Sequence, residues 1–550
     1  MDFAKGNFIL SIFTKNKKMP TDKISYQKSG YFIKLMVDYL DEKTELKQLY
    51  HRFPKLANFK AQVEEKAKNY NTKDNSNRQI LVSQLEKQYS NVEMSDLTKG
   101  NIQSLLLPNT FTITTGHQLN LFTGPLYFLY KIVSTINLCK QLKSEYPTST
   151  FVPIYWMATE DHDFEEINYF DFKHKKILWK TESFGPVGRS STDGMEDVLE
   201  LFSNELGNSI NADYLKALFQ KSYLQHDNLA DATRYLANEL FGKEGLVILD
   251  ADNHELKKLF IPYAKEELLH QTSYKKVTET NSLLKDYNVQ VNPREINLFY
   301  IEDAVRERIL FENGKYKINN TKEEFSEAEI ITLLEKSPEK FSPNVILRPL
   351  YEEVILPNLC YIGGGAEIAY WLELKSNFEN SNITFPVLLL RNSALLATQK
   401  QSDKADKLNL TWNDLFLNQQ ELFIRKTKEY SSFNIDFTEQ KTHLKKQFEA
   451  LYKIAEQTDK SFLGAVKAQE IKQIKGLENL EKRLLKAEKK VHTDKLERII
   501  LLQNELFPKH GLQERKANFS EFYLEFGNEL IHKILNDLEP LEHNFTIITL

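Results

Sequence analysis

The run from Thr110 to Met157 constrains the fold more than any other part of the chain. Thr110-Phe-Thr-Ile-Thr-Thr115 is β-rich and ends on Gly116. A helical pattern follows from Gly124 to about Ser144, and Phe151-Val-Pro-Ile-Tyr-Trp-Met157 is a second strand after the break at Pro147. Strand, glycine-bearing loop, helix and strand in that order make the βαβ unit of a parallel sheet. The texture recurs at Leu246–Asp250, Asn344–Leu347, Phe385–Leu390 and Phe545–Leu550. These runs are continuously apolar rather than alternating, which predicts strands covered on both faces. Leu298–Ile318 reads as an inserted antiparallel hairpin turning at Asn313-Gly314. The expected fold class is therefore α/β, a doubly wound parallel sheet interrupted by insertions.

Upstream, residues 25–105 read as helices, among them Gly30–Leu40 and Arg78–Tyr89, separated by the polar linker Asn69–Asn77. From about 438 to 506 the pattern changes again. Leu444, Phe448, Leu451 and Ala455 follow heptad spacing, as do Leu477, Leu480, Leu484, Ala487 and Val491, with Glu and Lys between them. No proline occurs from 387 to 507, so a second helix capped by Asp459 can run to Phe507, roughly 70 Å at the α-helical rise. Two helices joined near 458 predict an antiparallel hairpin. A hairpin that long projects from the body, and a second copy of the chain is the expected partner for its far end, giving a homodimer.

A chain of 550 residues exceeds one ordinary core, so several units are expected. The predicted division is a core over 1–395 with insertions at roughly 170–225 and 270–340, an arm over 396–507, and a segment 508–550 returning to the core. Basic and acidic residues nearly balance, 72 against 77, which argues against a nucleic-acid partner. Two cysteines, Cys139 and Cys360, exclude a disulfide framework and point to a reducing compartment. Both read as packing residues, since neither has a local base. The apolar run Phe8–Phe13 is too short for a signal core, and no stretch approaches the ~20 apolar residues of a membrane span. The expected setting is cytoplasmic, with no membrane partner.

Three loops carry the candidate chemistry. Thr115–Gly124 lies between a strand and a helix, where backbone N–H groups and a helix N-terminus can meet a phosphate. Gly116 and Gly124 allow close approach, and His117, Gln118, Asn120 and Thr123 supply polar contacts; the alternative is a tight turn whose polar groups satisfy only backbone. Glu160-Asp-His-Asp-Phe-Glu-Glu166 follows the strand ending at Met157 and puts five carboxylates and one imidazole at a strand's carboxyl end. Such a cluster can hold Mg²⁺, orient an amine or act as a base, and His162 between Asp161 and Asp163 is the expected proton acceptor. The bland alternative is a solvated acidic helix start. No residues are assigned as metal ligands. In Tyr361–Trp371, Gly363, Gly364 and Gly365 open a helix and Glu367 follows; Arg348 precedes this block and could meet a carboxylate or phosphate bidentately. Tyr370 and Trp371 read as core. Arg391, at the end of another strand, and Gln513-Glu-Arg515 are weaker candidates.

Together these segments resemble one family. Thr115-Gly-His-Gln118 with Leu121-Phe-Thr-Gly-Pro-Leu-Tyr127, then Glu160–Glu166, then Arg348-Pro349 with Gly363-Gly364 and Glu367-Ile-Ala-Tyr-Trp371, then Leu506-Phe-Pro508 with Leu512-Gln-Glu-Arg515, are similar in content and order to blocks of the BshC family, the cysteine ligases of bacillithiol biosynthesis. The chain departs at His117, where the family pattern has glutamine, and at Gly365, in a loop that often contains proline. The resemblance implies a Rossmann-like core with connecting-peptide insertions, related to class I aminoacyl-tRNA synthetases, and a coiled-coil arm used for dimerisation. It also implies joining of cysteine to the amine of glucosaminyl-malate at the expense of ATP. On that footing phosphates are expected over Gly116–Gly124. Asp161, His162, Asp163 and Glu160 are the expected catalytic groups. Glu166, Arg348, Gly363, Gly364, Glu367 and Arg391 are expected around the substrates. Two rivals stand beside this reading: a nucleotidyltransferase that stops at an activated intermediate, and a non-catalytic assembly protein built around the arm.

Overall fold

The computed structural model describes residues 22–71 and 75–550. The apolar run Phe8–Phe13 and the middle of the polar linker lie outside the described residues. Five strands form the central sheet: β1 (Thr110–His117), β2 (Thr150–Met157), β3 (Val247–Asp250), β4 (Asn358–Gly363) and β5 (Val387–Leu390). Their order is β5-β4-β1-β2-β3, and every pairing is parallel. The chain builds outward from β1 to β3, then crosses back to lay β4 on the other side of β1. The topology thus switches between β1 and β4, and in open α/β sheets the ligand crevice lies at the carboxyl ends of such a pair.

Both faces of the sheet are buried, as the continuous apolar runs require. Phe111, Ile113, Cys360, Ile362, Val387 and Leu389 share one cluster with Leu138, Cys139 and Leu142 of α1 (Tyr127–Glu145), and with Phe59. The intervening Tyr361 and Leu388 pack into the larger cluster with Trp371. The threonines of β1 are tolerated in this interior because their hydroxyls are satisfied: Thr114 donates to Asn358 Oδ1 at 3.0 Å and Thr115 to the Ile362 carbonyl at 2.7 Å.

Two strand expectations need correction. Asn344–Leu347 is a turn leading into α2 (Arg348–Ile355); the strand there is Phe341–Pro343, which pairs with Leu298–Glu302. Four residues with a helix-starting Arg-Pro behind them could not stay extended. The C-terminal run does form a strand, Asn544–Thr549, but outside the central sheet. It lies between Ser393–Ala397, to which it is parallel, and Asp22–Ser25, to which it is antiparallel. The hairpin at 298–318 is present as three strands of a five-stranded sheet, Leu298–Glu302, Val305–Glu312 and Lys315–Ile318. The second turn falls on Asn313 and Gly314, both with positive φ, as a tight hairpin turn demands.

The helical hairpin pairs Thr438–Ala455 with Lys460–Val491. Lys441 bonds Glu481 and Tyr452 bonds Glu470, a register that runs antiparallel. Asp459 caps the second helix by accepting from the Ser461 N–H at 2.9 Å. The helix does not run unbroken to Phe507: it stops at Val491 and restarts at Thr493, with His492 at the break. Phe448, Ala455 and Val466 form the hairpin's own core, with Leu444 against it. Leu451 and Leu480, expected in the seam, are exposed. Among the described residues, no helix is long and apolar enough to cross a membrane.

Candidate active site

A cavity of about 560 Å³ opens at the carboxyl ends of β1 and β4. Its floor comes from the sheet and its helices: Gly116, His117 and Gln118 after β1, Lys131 of α1, Arg348 and Glu352 of α2, and Tyr361 with Glu367 at the start of α3 (Gly365–Leu372). Its other wall is the inserted antiparallel sheet, which contributes Phe299, Arg306 and Arg308, with Arg294 just before it.

One set of contacts ties β1, α1, β4 and α3 together. The Lys131 ammonium, almost fully buried, donates to the Gly116 carbonyl at 2.5 Å and to both Glu367 oxygens at 2.7 and 2.8 Å. Tyr361 donates to Glu367 Oε2 at 2.9 Å. Glycine is needed at two places for this to close. A Cβ on Gly116 would meet the Tyr361 hydroxyl at 3.1 Å, and one on Gly363 would lie 2.9 Å from both Glu367 Cβ and the Tyr361 ring. His117 lies between Tyr127, on which it stacks, and Phe128; burial, then the charges of Lys131 and Arg391, pushes its pKa far down, so the ring is neutral. Its Nε2 meets no partner among the described residues.

The second set surrounds Asp161. Gln118 Nε2 donates to it at 2.6 Å, the His162 N–H at 3.1 Å, and the guanidiniums of Arg306 and Arg348 lie 3.6 and 3.7 Å away. Burial alone would raise the Asp161 carboxyl; the His162 hydrogen bond and the two arginine charges overcome it and hold the group far below the usual carboxylate range. Arg306 lies over the Phe299 ring at 4.0 Å and donates to His162 Nδ1 at 2.6 Å. With Nδ1 accepting, the neutral imidazole carries its proton on Nε2, 3.9 Å from Asp163. The lone pair that a base would use is thereby occupied. Asp161, His162 and Asp163 lie close enough to share a cation. Two guanidiniums already neutralise Asp161, however, and the only free His nitrogen is a donor, so this set does not fit a protein-held Mg²⁺.

Other expected site residues sit elsewhere. Glu160 points away from the cavity into a buried ion network, 2.5 Å from Lys257, which also bonds Asp252. Asn120, Thr123 and Gly124 do not reach the cavity: the Asn518 side chain donates to the Phe122 and Gly124 carbonyls, and Asn120 packs beneath Gly124 while donating to the Glu166 carbonyl. Polar loop residues were here recruited to hold a sharp turn with positive φ at Phe122, Thr123 and Gly124. The Glu166 side chain is exposed outside the cavity. Arg391 is buried and committed to Glu514 at 2.7 Å, over the Tyr127 ring at 4.9 Å. Gly364 caps α3. Both cysteines are buried, and burial pushes their thiols well up.

The sequence reading missed Lys131, Glu352, Arg306 and Arg308. Lys131 had a signal, being the one charge between Tyr127 and Cys139 in an apolar helix. Arg306 and Arg308 stand two apart on one strand of the hairpin, hence on one face. Glu352 had none, since Glu353 beside it is equally acidic.

The description "Bacillithiol biosynthesis BshC, N-terminal Rossmann-like domain" matches residues 19–392, and "Bacillithiol biosynthesis BshC, C-terminal coiled-coil domain" matches 394–550. A protein of Flavobacterium johnsoniae named "Putative cysteine ligase BshC" is 66% identical over 532 residues, 97% of this chain and 100% of that one. One of the same name from Flavobacterium psychrophilum is 67% identical over 530 residues, 96% of this chain and 99% of that one. A solved structure from Campylobacter jejuni, described as a putative arginyl tRNA synthetase, is 12% identical, covering 80% of this chain and 94% of its own; at a TM-score of 0.19 that likeness carries no argument.

Proposed function

The chain belongs to the BshC family, and from that premise we propose that it is an ATP-dependent ligase forming an amide between the cysteine carboxyl and the amine of glucosaminyl-malate. One observation supports this most. The cavity at the topological switch point is walled by four guanidiniums, and two of them, Arg294 and Arg308, form no ion pair among the described residues. The reaction needs such a wall. Both malyl carboxylates and the nucleotide phosphates are anionic, and arginine matches carboxylate and phosphate in a bidentate fork.

On this reading Arg306 and Arg348 orient the anions from fixed positions set by Asp161, while Arg294 and Arg308 complete the contact when substrate arrives. Gly116, His117 and Gln118 present backbone and ring nitrogen from the end of β1 to the nucleotide. Mg²⁺, if it accompanies ATP, keeps its ligands on phosphate and water. His162 holds Arg306 in place and so shapes the anion wall.

The exposed apolar side chains of the arm, Leu451, Ile454, Phe462, Leu463, Ile471 and Leu480, support a homodimer formed through it, because a lone hairpin gains nothing from leaving them in water. The decisive experiment incubates the pure protein with ATP, cysteine and glucosaminyl-malate and identifies the products by mass spectrometry. The cysteinyl amide, with ATP consumed in equal amount, is expected; an activated cysteine without amide, or no nucleotide turnover, overturns the proposal.

A further inference from the structure

Amide formation needs an amine stripped of its proton, and the cavity's acids differ in whether they could take it. Asp161 is engaged by Gln118, His162, Arg306 and Arg348, which makes it a weak base. Glu367 is neutralised by Lys131 and accepts from Tyr361. Asp163 stands more than half exposed at the rim. Glu352 is different: it lines the same cavity, is only 3% exposed, and its Oε1 is buried with no hydrogen-bond partner among the described residues. A buried acid oxygen without a partner costs stability unless something arrives to satisfy it. His117 Nε2 and Trp371 Nε1 are likewise buried and unpartnered on the cavity lining.

We propose that Glu352 accepts the proton from the substrate ammonium, so that the amine attacks the activated acyl carbon as a free base. The inference rests on the ligase reading above. The ammonium passes one proton to the Glu352 carboxylate; the nitrogen lone pair then forms the C–N bond, and the acyl C–O bond breaks with its electron pair on the departing oxygen. The second proton shed by nitrogen leaves on that oxygen, and Glu352 returns its proton to solvent.

The surroundings fit this role. Burial, then the neighbouring Glu353, pushes the Glu352 carboxyl well up; Lys66 and Arg348 oppose this and Glu367 adds to it, with Lys131, Tyr361 and Tyr370 also within its field. The group therefore holds a proton more tightly than an ordinary carboxylate does. An ammonium docking against it converts the pair to one shared proton, and a proton leaves for solvent.

Binding of glucosaminyl-malate to the whole protein, measured by calorimetry in buffers of different ionisation enthalpy, should release protons, and more of them as the pH is lowered below 7. Malate, which has the carboxylates and no amine, should release none. Glu352→Gln should abolish the release and lower kcat by roughly 10²–10⁴ with little change in KM for ATP, and Glu352→Asp should recover part of the rate. Absence of proton release in the wild type, which needs no variant to fold, overturns the inference. So does release that persists in Glu352→Gln, or a rate in that variant within a few-fold of wild type. Failure of the wild type to ligate at all would instead sink the ligase reading.

Discussion

Replacing Lys66 with methionine tests how the acid-rich helix beneath the cavity is held. Lys66, on the helix Asn58–Tyr70, lies 2.6 Å from Glu353 on α2, with side-chain exposures of 2% and 0%. Glu353 has one further donor, Asn358 Nδ2 at 2.6 Å. Methionine keeps the volume and removes the cation, leaving a buried carboxylate short of a partner, which typically costs about 3–5 kcal/mol. For a unit the size of residues 19–392 the melting entropy is about 0.8 kcal/mol/K, so the midpoint should fall by about 4–6 °C at pH 7. Scanning calorimetry or circular dichroism reads this directly. The loss also has a pH signature. Burial raises the Glu353 carboxyl even with Lys66 present, and the variant raises it further. A carboxyl raised on folding destabilises the fold increasingly as pH rises from its unfolded value of about 4.3 toward its folded one. The gap between wild type and variant should therefore shrink at pH 5. Lys66→Met combined with Glu353→Gln should recover most of the loss, because no buried charge is left alone. A midpoint drop below 1 °C at pH 7, or a drop that does not shrink on acidification, would refute the argument.

Four further outcomes are expected. Arg308→Ala should raise KM for glucosaminyl-malate by roughly 10- to 100-fold, the equivalent of one charge-assisted hydrogen bond, with kcat nearly kept; an unchanged KM would remove Arg308 from the anion wall. Gly363→Ala, whose Cβ would lie 2.9 Å from both Glu367 and Tyr361, should part these side chains and lower thermal stability measurably, whereas Gly464→Ala, with open space around it, should not. Cys139→Ser and Cys360→Ser should keep activity, and the native protein should resist thiol reagents up to mildly alkaline pH, since burial raises both thiols; rapid labelling of the folded protein would contradict that. Removal of 438–491 with a short linker should give a monomer in light scattering, and a persisting dimer would place the interface elsewhere.

The fold was largely legible because its signals are local and periodic. Continuous apolar runs mark β2, β3 and β5, a threonine-rich run ending on Gly116 marks β1, and Asn313-Gly314 marks a hairpin turn through backbone conformation alone. What failed was assignment of sheet membership. Asn544–Thr549 has the same texture as β5, yet it pairs with Ser393–Ala397, a choice made by the long-range path of the chain after the arm. Heptad spacing likewise found the hairpin but not which residues face inward, since Leu451 and Leu480 fit the same pattern as Phe448 and remain exposed.

The site was legible as a place and much less so as a set of roles. Glu160 and Asp161 are adjacent and chemically alike, but in the turn that follows β2 they reach different partners. One is spent inside the fold on Lys257, and the other meets the cavity and its arginines. Glu352 and Glu353 likewise part on α2, where a step of about 100° sends one toward the cavity and the other toward Lys66. A motif records which residues recur together; whether a given acid is consumed by a partner or left free depends on groups far along the chain, here Lys66, Lys257 and Arg306. The group with most capacity for proton transfer in this cavity is accordingly the one that no neighbour in sequence singles out. It is chosen by what fails to reach it: the nearest cations, Lys131, Lys66 and Arg348, are each already committed to another carboxylate. That leaves a raised, unpartnered acid beside a wall of guanidiniums, which suits a substrate carrying an amine and carboxylates together.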